Sequence, residues 1–348
     1  MKMRVLTLTL GFLLRTLALI AAGPDDLPAG IELRSFTGWD QSIFINATET
    51  PVQAVIVPAV GGRVAHFSLN GENILFENAA TQGKTMSASE ELWLGGYQCD
   101  VGPSMRHLPA HFELVQGSNQ WNLKGNFAAH VSSPPERQLG IAIEKDFLLA
   151  PDTGDLGVVQ RMRNISDREV SYCMWDRTLC KGAGFVFFPL NPKSRFKAGW
   201  SQRRQANGQD DYDGEHPNAP QARVLDGVLV VSATGDVAQL GADTMAGWIA
   251  YARDKLLFVK YFPCYRGRNY SDGGNTVEVY IDQRAVELSP LSPETTLAPG
   301  EVCTFPEKWL LIPLNREITT FEEARKLVRK IPAMPFRALL DESQRKAR

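Results

Sequence analysis

The chain has 348 residues, of which 44% are apolar, and a formal net charge of −2. This apolar content is typical of a packed globular protein and argues against disorder over most of the length. The near-balanced charge leaves no basic footprint for nucleic acid, so we expect no nucleic-acid partner.

The first 23 residues have the pattern of a signal peptide. A positively charged start precedes an apolar run from Val5 to Ala22, and small residues follow at its exit. Arg15 interrupts this run, which disfavours a signal peptide and, more strongly, a spanning anchor. No other stretch is long enough to cross a bilayer. We therefore expect a leader at residues 1–23, a periplasmic or secreted protein, and no stable membrane span after leader removal.

From Ile31 onward, short apolar runs are interrupted repeatedly by Gly, Pro, Asn and Asp. This rhythm predicts a single all-β domain over residues 24–315. The predicted strands include residues 54–57, 64–69, 140–149, 156–163, 169–175, 224–232, 246–252 and 255–262.

Two segments depart from this strand pattern. Residues 202–221 are polar and rich in Asn, Asp and Gly, which predicts a long loop that either covers a site or is a surface insertion. Residues 319–330 predict the one helix, because Thr320 can cap it and basic residues end it. We assign residues 316–348 to a C-terminal helix and tail.

The sequence predicts no cofactor and no metal. The five cysteines are an odd number at wide spacings, which argues against a disulfide framework, although Cys173 and Cys180 could pair in an oxidising compartment. Neither a metal-binding spacing, nor a nucleotide-binding glycine loop, nor a hydrolase nucleophile elbow is found.

Residues 275–313 contain a carboxylate, Glu287, within strands that otherwise have the pattern of a sandwich core. Val277, Val279 and Ile281 alternate with polar residues, and the strand around Glu287 follows after a polar turn. Residues 297–301 then supply a second turn before a last apolar strand at residues 309–312.

This order of strand, turn and closing strand resembles the C-terminal signature of the galactose mutarotase-like superfamily. The Gly61-Gly62 turn between two apolar runs resembles the N-terminal hairpin of the same superfamily, and the resemblance covers roughly residues 31–313. It implies a large antiparallel β-sandwich, the mutarotase-like supersandwich, with a carbohydrate ligand. It also implies that Glu287 is the general base of an aldose 1-epimerase-type reaction. The residues alone leave open an exposed carboxylate on an edge strand.

Mutarotation also needs an acid that protonates the ring oxygen. In the superfamily, the acid histidine follows a turn that matches residues 164–167, but here Trp175 and Asp176 occupy that region. Trp175 could stack on a sugar ring, and Asp176 could act as the acid if its pKa were raised. A core tryptophan beside a surface Asp–Arg pair is the alternative.

The remaining candidates come from three segments. A glycine-rich stretch at residues 93–107 combines aromatic, amide and guanidinium groups that suit a sugar. Its histidine, His107, is the preferred replacement acid, ahead of His66, His111 and His130. Resemblance to sugar-phosphate members of the superfamily implies arginines that could read an anionic group. The predicted catalytic residues are Glu287, His107 and Asp176, and the predicted substrate-binding residues are Arg63, Tyr97, Gln98, Arg106, Trp175 and Arg266.

Two other functions remain open from the sequence. A non-catalytic carbohydrate-binding or structural sandwich is favoured by the missing family histidine and disfavoured by the carboxylate at Glu287. A polysaccharide lyase or glycosidase is disfavoured because such proteins usually carry a helical domain, for which this chain has no room.

Overall fold

Two antiparallel β-sheets pack face to face in the computed structural model, which describes residues 27–86, 92–104, 108–206 and 209–336. The predicted all-β sandwich is confirmed. The strands of both sheets alternate in side-chain direction, so one face of each sheet is buried against the other sheet.

The larger sheet has thirteen strands among the described residues, in the order β1-β2-β3-β4-β6-β11-β21-β20-β17-β13-β14, with β5 added to β4 and β22 to β11. Its strands are β1 (Ile31–Phe36), β2 (Trp39–Asn46), β3 (Val52–Val57), β4 (Arg63–Leu69), β5 (Glu72–Asn73), β6 (Gly96–Gly102), β11 (Val170–Lys181), β13 (Ser201–Ala206), β14 (Gln209–Asp213), β17 (Ala238–Ala242), β20 (Val277–Ile281), β21 (Ala285–Pro290) and β22 (Thr295–Leu297).

The smaller sheet has ten strands in the described part of the chain, in the order β15-β16-β12-β18-β19-β23-β10-β9-β8-β7. They are β7 (Gln120–Leu123), β8 (Ala128–Ser132), β9 (Ile141–Leu149), β10 (Leu156–Asn164), β12 (Phe185–Pro189), β15 (Ala222–Leu225), β16 (Val228–Ser232), β18 (Trp248–Arg253), β19 (Leu256–Tyr261) and β23 (Val302–Pro313).

The core between the sheets is centred on Trp309 of the closing strand β23. This fully buried indole contacts Tyr97, Phe258 and Phe67 edge to face, with ring centroids 5.3, 5.5 and 5.9 Å away. Such contacts add to the burial of large apolar side chains from both sheets. Trp309, the first residue of the predicted last apolar strand, therefore contacts aromatic rings of both sheets.

The helices agree with the prediction in one place and correct it in another. The predicted C-terminal helix is confirmed as α2 (Phe321–Lys326) with a 3₁₀ turn at Leu327–Lys330, and the Thr320 side chain accepts a hydrogen bond from the Glu323 amide at 3.2 Å. A second, five-residue helix, α1 (Phe112–Gln116), was not predicted because it is too short for a helical period to show.

The prediction of a long loop at residues 202–221 was wrong for residues 202–206 and 209–213, whereas residues 214–221 belong to no helix or strand. Most of β13 and all of β14 lie there and form an antiparallel hairpin, in which Arg203 is opposite Tyr212 and Arg204 opposite Asp211. These strands consist almost entirely of polar residues, so they lack the apolar alternation on which the prediction depended.

The turn between β3 and β4 contacts the short helix α1. Gly61 adopts a φ of +72°, which favours glycine, and its amide donates to the Gly117 carbonyl oxygen at 2.8 Å. The two glycines that resembled a family hairpin thus also form a contact across the molecule. Among the described residues, no helix is long and apolar enough to cross a membrane.

Candidate functional site

Glu287 lies on the outer face of the larger sheet, on the central strand β21. Register places it opposite Leu179 of β11 and Tyr280 of β20, and it is only 3% exposed. The Arg177 Nε atom donates to both carboxylate oxygens at 3.2 Å, and the Ser289 hydroxyl donates to Oε1 at 2.8 Å. The alternative of an exposed carboxylate on an edge strand is therefore wrong.

Arg177 joins two carboxylates and an aromatic ring. Besides Glu287, its Nη1 donates to Asp100 Oδ2 at 3.3 Å, and its guanidinium lies over the Trp175 ring, 4.8 Å from the centroid. Trp175 and Arg177 share a face because they are two residues apart on one strand. The guanidinium fork suits this position because it can donate to both carboxylates at once.

Asp100 forms a close pair with His111, the residue before α1. His111 Nε2 lies 2.7 Å from Asp100 Oδ1, and His111 Nδ1 lies 2.7 Å from the Pro109 carbonyl oxygen. Because both ring nitrogens face acceptors, the doubly protonated imidazolium is favoured.

The pKa values of this pair move apart. Burial by itself would lower the pKa of His111, but the hydrogen bond and charge of Asp100 outweigh it and raise the pKa to about 9. Burial would likewise raise the pKa of Asp100, yet the bond and charge of His111, together with Arg177, hold it below its usual value. At neutral pH the pair is therefore a carboxylate and an imidazolium.

These side chains border a pocket of about 320 Å³. One wall is polar and carries charges of both signs, whereas the other is apolar and comes from the segment that leads into α1. A concave site with an aromatic ring and a few converging polar groups is typical of a small-molecule pocket. Its lining includes Asp100, His111, Trp175, Arg177, Arg203 and Leu108.

A second buried carboxyl group, Glu278, adjoins this pocket through Arg203. The Arg203 Nη1 donates to Gln239 Oε1 at 3.0 Å, and Gln239 Nε2 donates to Glu278 Oε2 at 2.9 Å. Burial, followed by the charge of Asp272, raises the pKa of Glu278 to about 7. This group therefore changes protonation near neutral pH, a few side chains from the pocket.

The predicted site residues divide between the two faces of the sheet. Trp175 lines the pocket, and Gln98 lies on the same face, where its Oε1 accepts from Arg63 Nη2 at 2.9 Å. Asp176 and Tyr97 point the opposite way, into the core between the sheets, and do not border the pocket. Successive residues of a strand face opposite sides, so Asp176 could not act beside Trp175.

Asp176 and Tyr97 have core partners instead of ligand-facing positions. Asp176 accepts from Lys260 Nζ of the smaller sheet and from the Thr178 hydroxyl, at 2.7 Å for the latter. Tyr97 packs on Trp309. Their predicted roles are corrected by this geometry.

Neither Arg63 nor Arg266 lines the pocket beside Trp175. Arg63 is 1% exposed and donates to the carbonyl oxygens of Val60 at 3.0 Å and Gly95 at 2.6 Å. It therefore links two backbone segments and has a structural position. Arg266 is exposed between β19 and β20 and does not border the pocket. Arg106 and His107 lie outside the described residues.

Two site residues were missed or ranked too low by the sequence reasoning. Arg177 was considered only as a surface partner of Asp176, although strand alternation places it beside Trp175 and away from Asp176. His111 was ranked behind His107, and no local pattern distinguishes the two histidines. The described residues contain no cluster of three or more His, Cys, Asp and Glu that could hold a metal, and all five cysteines are free.

Comparison with solved structures identifies the architecture. The chain is similar to a galactose mutarotase-like protein from Lactobacillus casei ATCC 334, with a TM-score of 0.55 and 10% identity over 77% of this chain and 100% of that chain. A galactose mutarotase related enzyme from Lactobacillus acidophilus gives a TM-score of 0.52 and 9% identity, over 80% of this chain and 100% of that one.

A third similar structure is a galactose mutarotase-like protein from Clostridium acetobutylicum, with a TM-score of 0.51 and 11% identity over 82% of this chain and 99% of that one. A scan against protein-family models and a search of curated proteins give no match. Identity this low establishes shared architecture and not shared chemistry. The chain therefore has the fold of the galactose mutarotase-like proteins.

Proposed function

We propose that this protein binds a carbohydrate in the pocket beside Trp175 and isomerises it at the anomeric carbon, with Glu287 as the general base. The observation that carries the proposal is the buried Glu287 carboxylate, held by Arg177 and Ser289 on the pocket face of the larger sheet. A carboxylate is costly to bury without partners, and here Arg177 supplies a cation and Ser289 a hydroxyl donor. The fold shared with mutarotase-like proteins supports the same reading.

In this reaction, Glu287 takes the proton of the anomeric hydroxyl while the bond between the anomeric carbon and the ring oxygen breaks. An acid gives a proton to the ring oxygen, and the open-chain aldehyde rotates before the steps reverse. We assign the acid role to His111, because its raised pKa keeps it protonated at neutral pH and it borders the pocket. Both ring nitrogens are hydrogen-bonded to the protein, so one N–H must exchange its protein acceptor for the ring oxygen before it gives up its proton. The net result exchanges the two anomers, with no other reactant consumed.

Arg177 separates Glu287 from the pocket and must turn for the base to reach a hydroxyl. It has a second carboxylate, Asp100, already 3.3 Å from its Nη1, toward which the guanidinium can move. Hydrogen bonds at a catalytic group often rearrange when substrate binds. Trp175 would offer its ring to the apolar face of the sugar, as aromatic side chains do in many ligand sites.

The test is anomer exchange, measured by magnetisation-transfer NMR on a panel of aldoses and uronates. Glu287→Gln is nearly isosteric and keeps an acceptor for Arg177, so we expect it to fold while losing exchange by about 100-fold or more. Glu169→Gln, on an exposed surface position, is the matched control and should exchange as the wild type does.

Two results would contradict the epimerase proposal. One is wild-type exchange no faster than buffer, and the other is full exchange by Glu287→Gln. Sugar binding without exchange would instead support the carbohydrate-binding protein without catalysis, which the Arg177–Glu287 ion pair also allows.

We further propose that the protein is exported, on the pattern of residues 1–23, which lie outside the described residues. The measurement is N-terminal sequencing of the protein from a fractionated host. A mature chain that begins near residue 24 in the exported fraction would support export, and an intact leader in the cytoplasm would refute it.

A further inference from the structure

We propose that a second pocket, on the end of the sheet beyond Glu287, binds the anionic group of an acidic carbohydrate chain. This deepens the proposed function, because the neighbouring ring of that chain would occupy the pocket beside Trp175. The ligand class is an oligosaccharide of two or more rings that bears a carboxylate or a sulfate.

The second pocket has a volume of about 530 Å³ and forms where the chain leaves the larger sheet. Lys181 is the last residue of β11, Arg284 belongs to the turn between β20 and β21, and Arg253 ends β18 of the smaller sheet. The turn lies close to the strand end, since the Gly182 amide donates to the Arg284 carbonyl oxygen at 2.9 Å. The three cations therefore come from three different elements and meet at one opening.

The charge of this opening is positive. Its lining has three cationic side chains and a single carboxylate, Glu77. That carboxylate is already engaged, because its Oε1 lies 2.9 Å from His66 Nδ1 and accepts from Asn73 Nδ2 at 2.6 Å. The protein as a whole has a net charge of −2, so a local excess of cations in a concavity is a departure from the average surface.

The cations have only weak competition from the protein for an incoming anion. Arg253 pairs with Asp254 at 3.4 Å and Arg284 with Asp282 at 3.2 Å, both between neighbouring residues with at least one partner well exposed. Exposed pairs of this kind contribute little free energy. Lys181 has no ion pair among the described residues. A carboxylate or sulfate can therefore take these donors at small cost, and guanidinium groups suit such planar or multidentate acceptors.

One aromatic ring, Phe76, lines the second pocket, and a second ring, Trp93, packs beside it. The Phe76 and Trp93 rings lie 4.8 Å apart, and the Arg284 guanidinium lies 4.2 Å from the Trp93 centroid. This contact restricts the direction of the Arg284 guanidinium, which lines the opening and is still well exposed to solvent. The same pairing of an arginine with a tryptophan occurs in the first pocket.

The two pockets share the outer face of β11. Trp175 and Arg177 border the first, and Lys181, which alternation places on the same face, borders the second. Arg177 and Lys181 are four positions apart on the strand, which is about 13 Å. Tyr280, half-buried and opposite Glu287, lies on the intervening face. That separation exceeds one pyranose ring, so a ligand that fills both pockets has at least two.

The experiment compares digalacturonate with its methyl ester, which has the same rings without the charges, by isothermal titration calorimetry at low ionic strength. We expect the wild type to bind the acid more tightly than the ester. The double variant Lys181→Glu/Arg284→Glu should lose about tenfold in affinity for the acid, because two attractive contacts become repulsive. Lys193→Glu/Lys197→Glu, with the same charge change at exposed positions elsewhere, should bind as the wild type does. Urea unfolding of both double variants verifies that each is folded.

Equal affinity of the wild type for acid and ester would overturn the proposal, as would an equal loss of affinity in the two double variants. A parallel titration with a sulfated disaccharide shows whether the pocket binds sulfate or carboxylate more tightly. Tighter binding of either acidic sugar than of its neutral counterpart supports the site. Anomer exchange by the wild type is measured separately. If the wild type prefers the acid but does not exchange anomers, the epimerase proposal is rejected and the anion pocket is kept. If it exchanges anomers but does not prefer the acid, only the anion pocket is rejected.

Discussion

Arg177 determines the chemistry of the candidate site more than any other side chain. It contacts Glu287, Asp100 and Trp175 at once, and both carboxylates are almost fully buried. A buried carboxylate that loses its cation must either lie uncompensated in a poor solvent or take up a proton. The same guanidinium therefore stabilises the fold and controls access to the proposed base.

Arg177→Ala should lower the free energy of unfolding by about 3 kcal/mol at pH 7, since it leaves the buried Glu287 carboxylate without its cation and Asp100 with His111 alone. Urea denaturation measures this change. Arg161→Ala is the matched control, because Arg161 pairs with the half-exposed Asp146, and it should cost less than about 1 kcal/mol. Equal effects of the two substitutions would show that the Arg177 network contributes no more than a surface pair.

At the level of single residues, the sequence predicted the base candidate and the stacking tryptophan but not their common partner. Glu287 stands out because a carboxylate interrupts an apolar strand pattern, and the resemblance to the superfamily implies its role as the base. Asp176 was misassigned because proximity in sequence was given more weight than the alternation of strand faces. Arg177 could have been found by applying that alternation from Trp175.

Among the elements, α1 matters because it follows His111 and positions it against β6. The helix has only five residues, so packing and not helix propensity holds it in place. Gln116 at its end exchanges two hydrogen bonds with the backbone of Leu92, at 3.0 and 2.8 Å. The Asp100–His111 bond is a third contact of this helix region, and it joins the region to β6 of the larger sheet.

This link predicts a stability profile with two limits. The stabilisation from His111 is fully present below its unfolded pKa of about 6.5 and is lost as the pH rises through about 9, because the folded pKa is raised. The stabilisation from Asp100, whose folded pKa is lowered, is present above its ordinary value of 3.8 and is lost as the pH falls below it. The combined contribution is therefore largest between about pH 4 and 6.5.

The measurement is the difference in unfolding free energy between the wild type and His111→Asn from pH 5 to 10. We expect this difference to shrink as the pH rises toward 9. NMR titration of the His111 ring provides a direct check of the raised pKa. A pH-independent difference, or a ring that titrates near 6.5, would rule out the imidazolium–carboxylate pair.

The β13–β14 hairpin shows why some elements escape sequence analysis. Its strands are held by charged pairs, Arg203 with Asp210 and Arg204 with Asp213, the latter at 3.1 Å. Side-chain charges of this kind stabilise a hairpin without any apolar period. The same polar composition that predicted a loop therefore forms two strands, and one of them supplies a side chain to the pocket.

For the whole molecule, the interface between the sheets contains a buried ionic cluster as well as aromatic rings. Lys260 of β19 donates to Asp176 of β11 and lies 3.4 Å from Glu307 of β23, and all three side chains are fully buried. Burial, together with the charge of Glu307, raises the pKa of Asp176 in spite of the lysine. Two carboxyl groups thus share one principal cation in the centre of the sandwich.

Lys260→Met should therefore lower the free energy of unfolding by about 3–5 kcal/mol at pH 8, since it leaves both carboxyl groups without that cation. The loss should be smaller at pH 5, because protonation of Asp176, whose pKa is raised by burial and by the charge of Glu307, removes the repulsion between these two carboxyl groups. Asp176→Asn, which keeps an acceptor for Lys260 and removes one charge, should change stability by less than about 1 kcal/mol. Denaturant unfolding at both pH values checks the pair, and a larger cost for Asp176→Asn than for Lys260→Met would contradict this account.

The global architecture was predictable in class but not in strand order. Alternating apolar runs and turn residues specify a sandwich, and the two end motifs resembled one superfamily. The neighbours of β11, which are β6 on one side and β21 on the other, come from residues about 70 positions before it and more than 100 after it. No local pattern encodes such pairings, since they depend on which faces bury together after collapse.

The glycine at the turn between β3 and β4 has a consequence for the pocket opposite. A Cβ atom at Gly61 would lie 2.0 Å from the Val115 carbonyl oxygen, which also accepts from Arg63 at 3.3 Å. Any side chain there would push α1 outward, and the His111 ring would move with it. The width of the proposed binding cleft thus depends on the absence of a side chain at Gly61, some fifty residues before His111 in the chain.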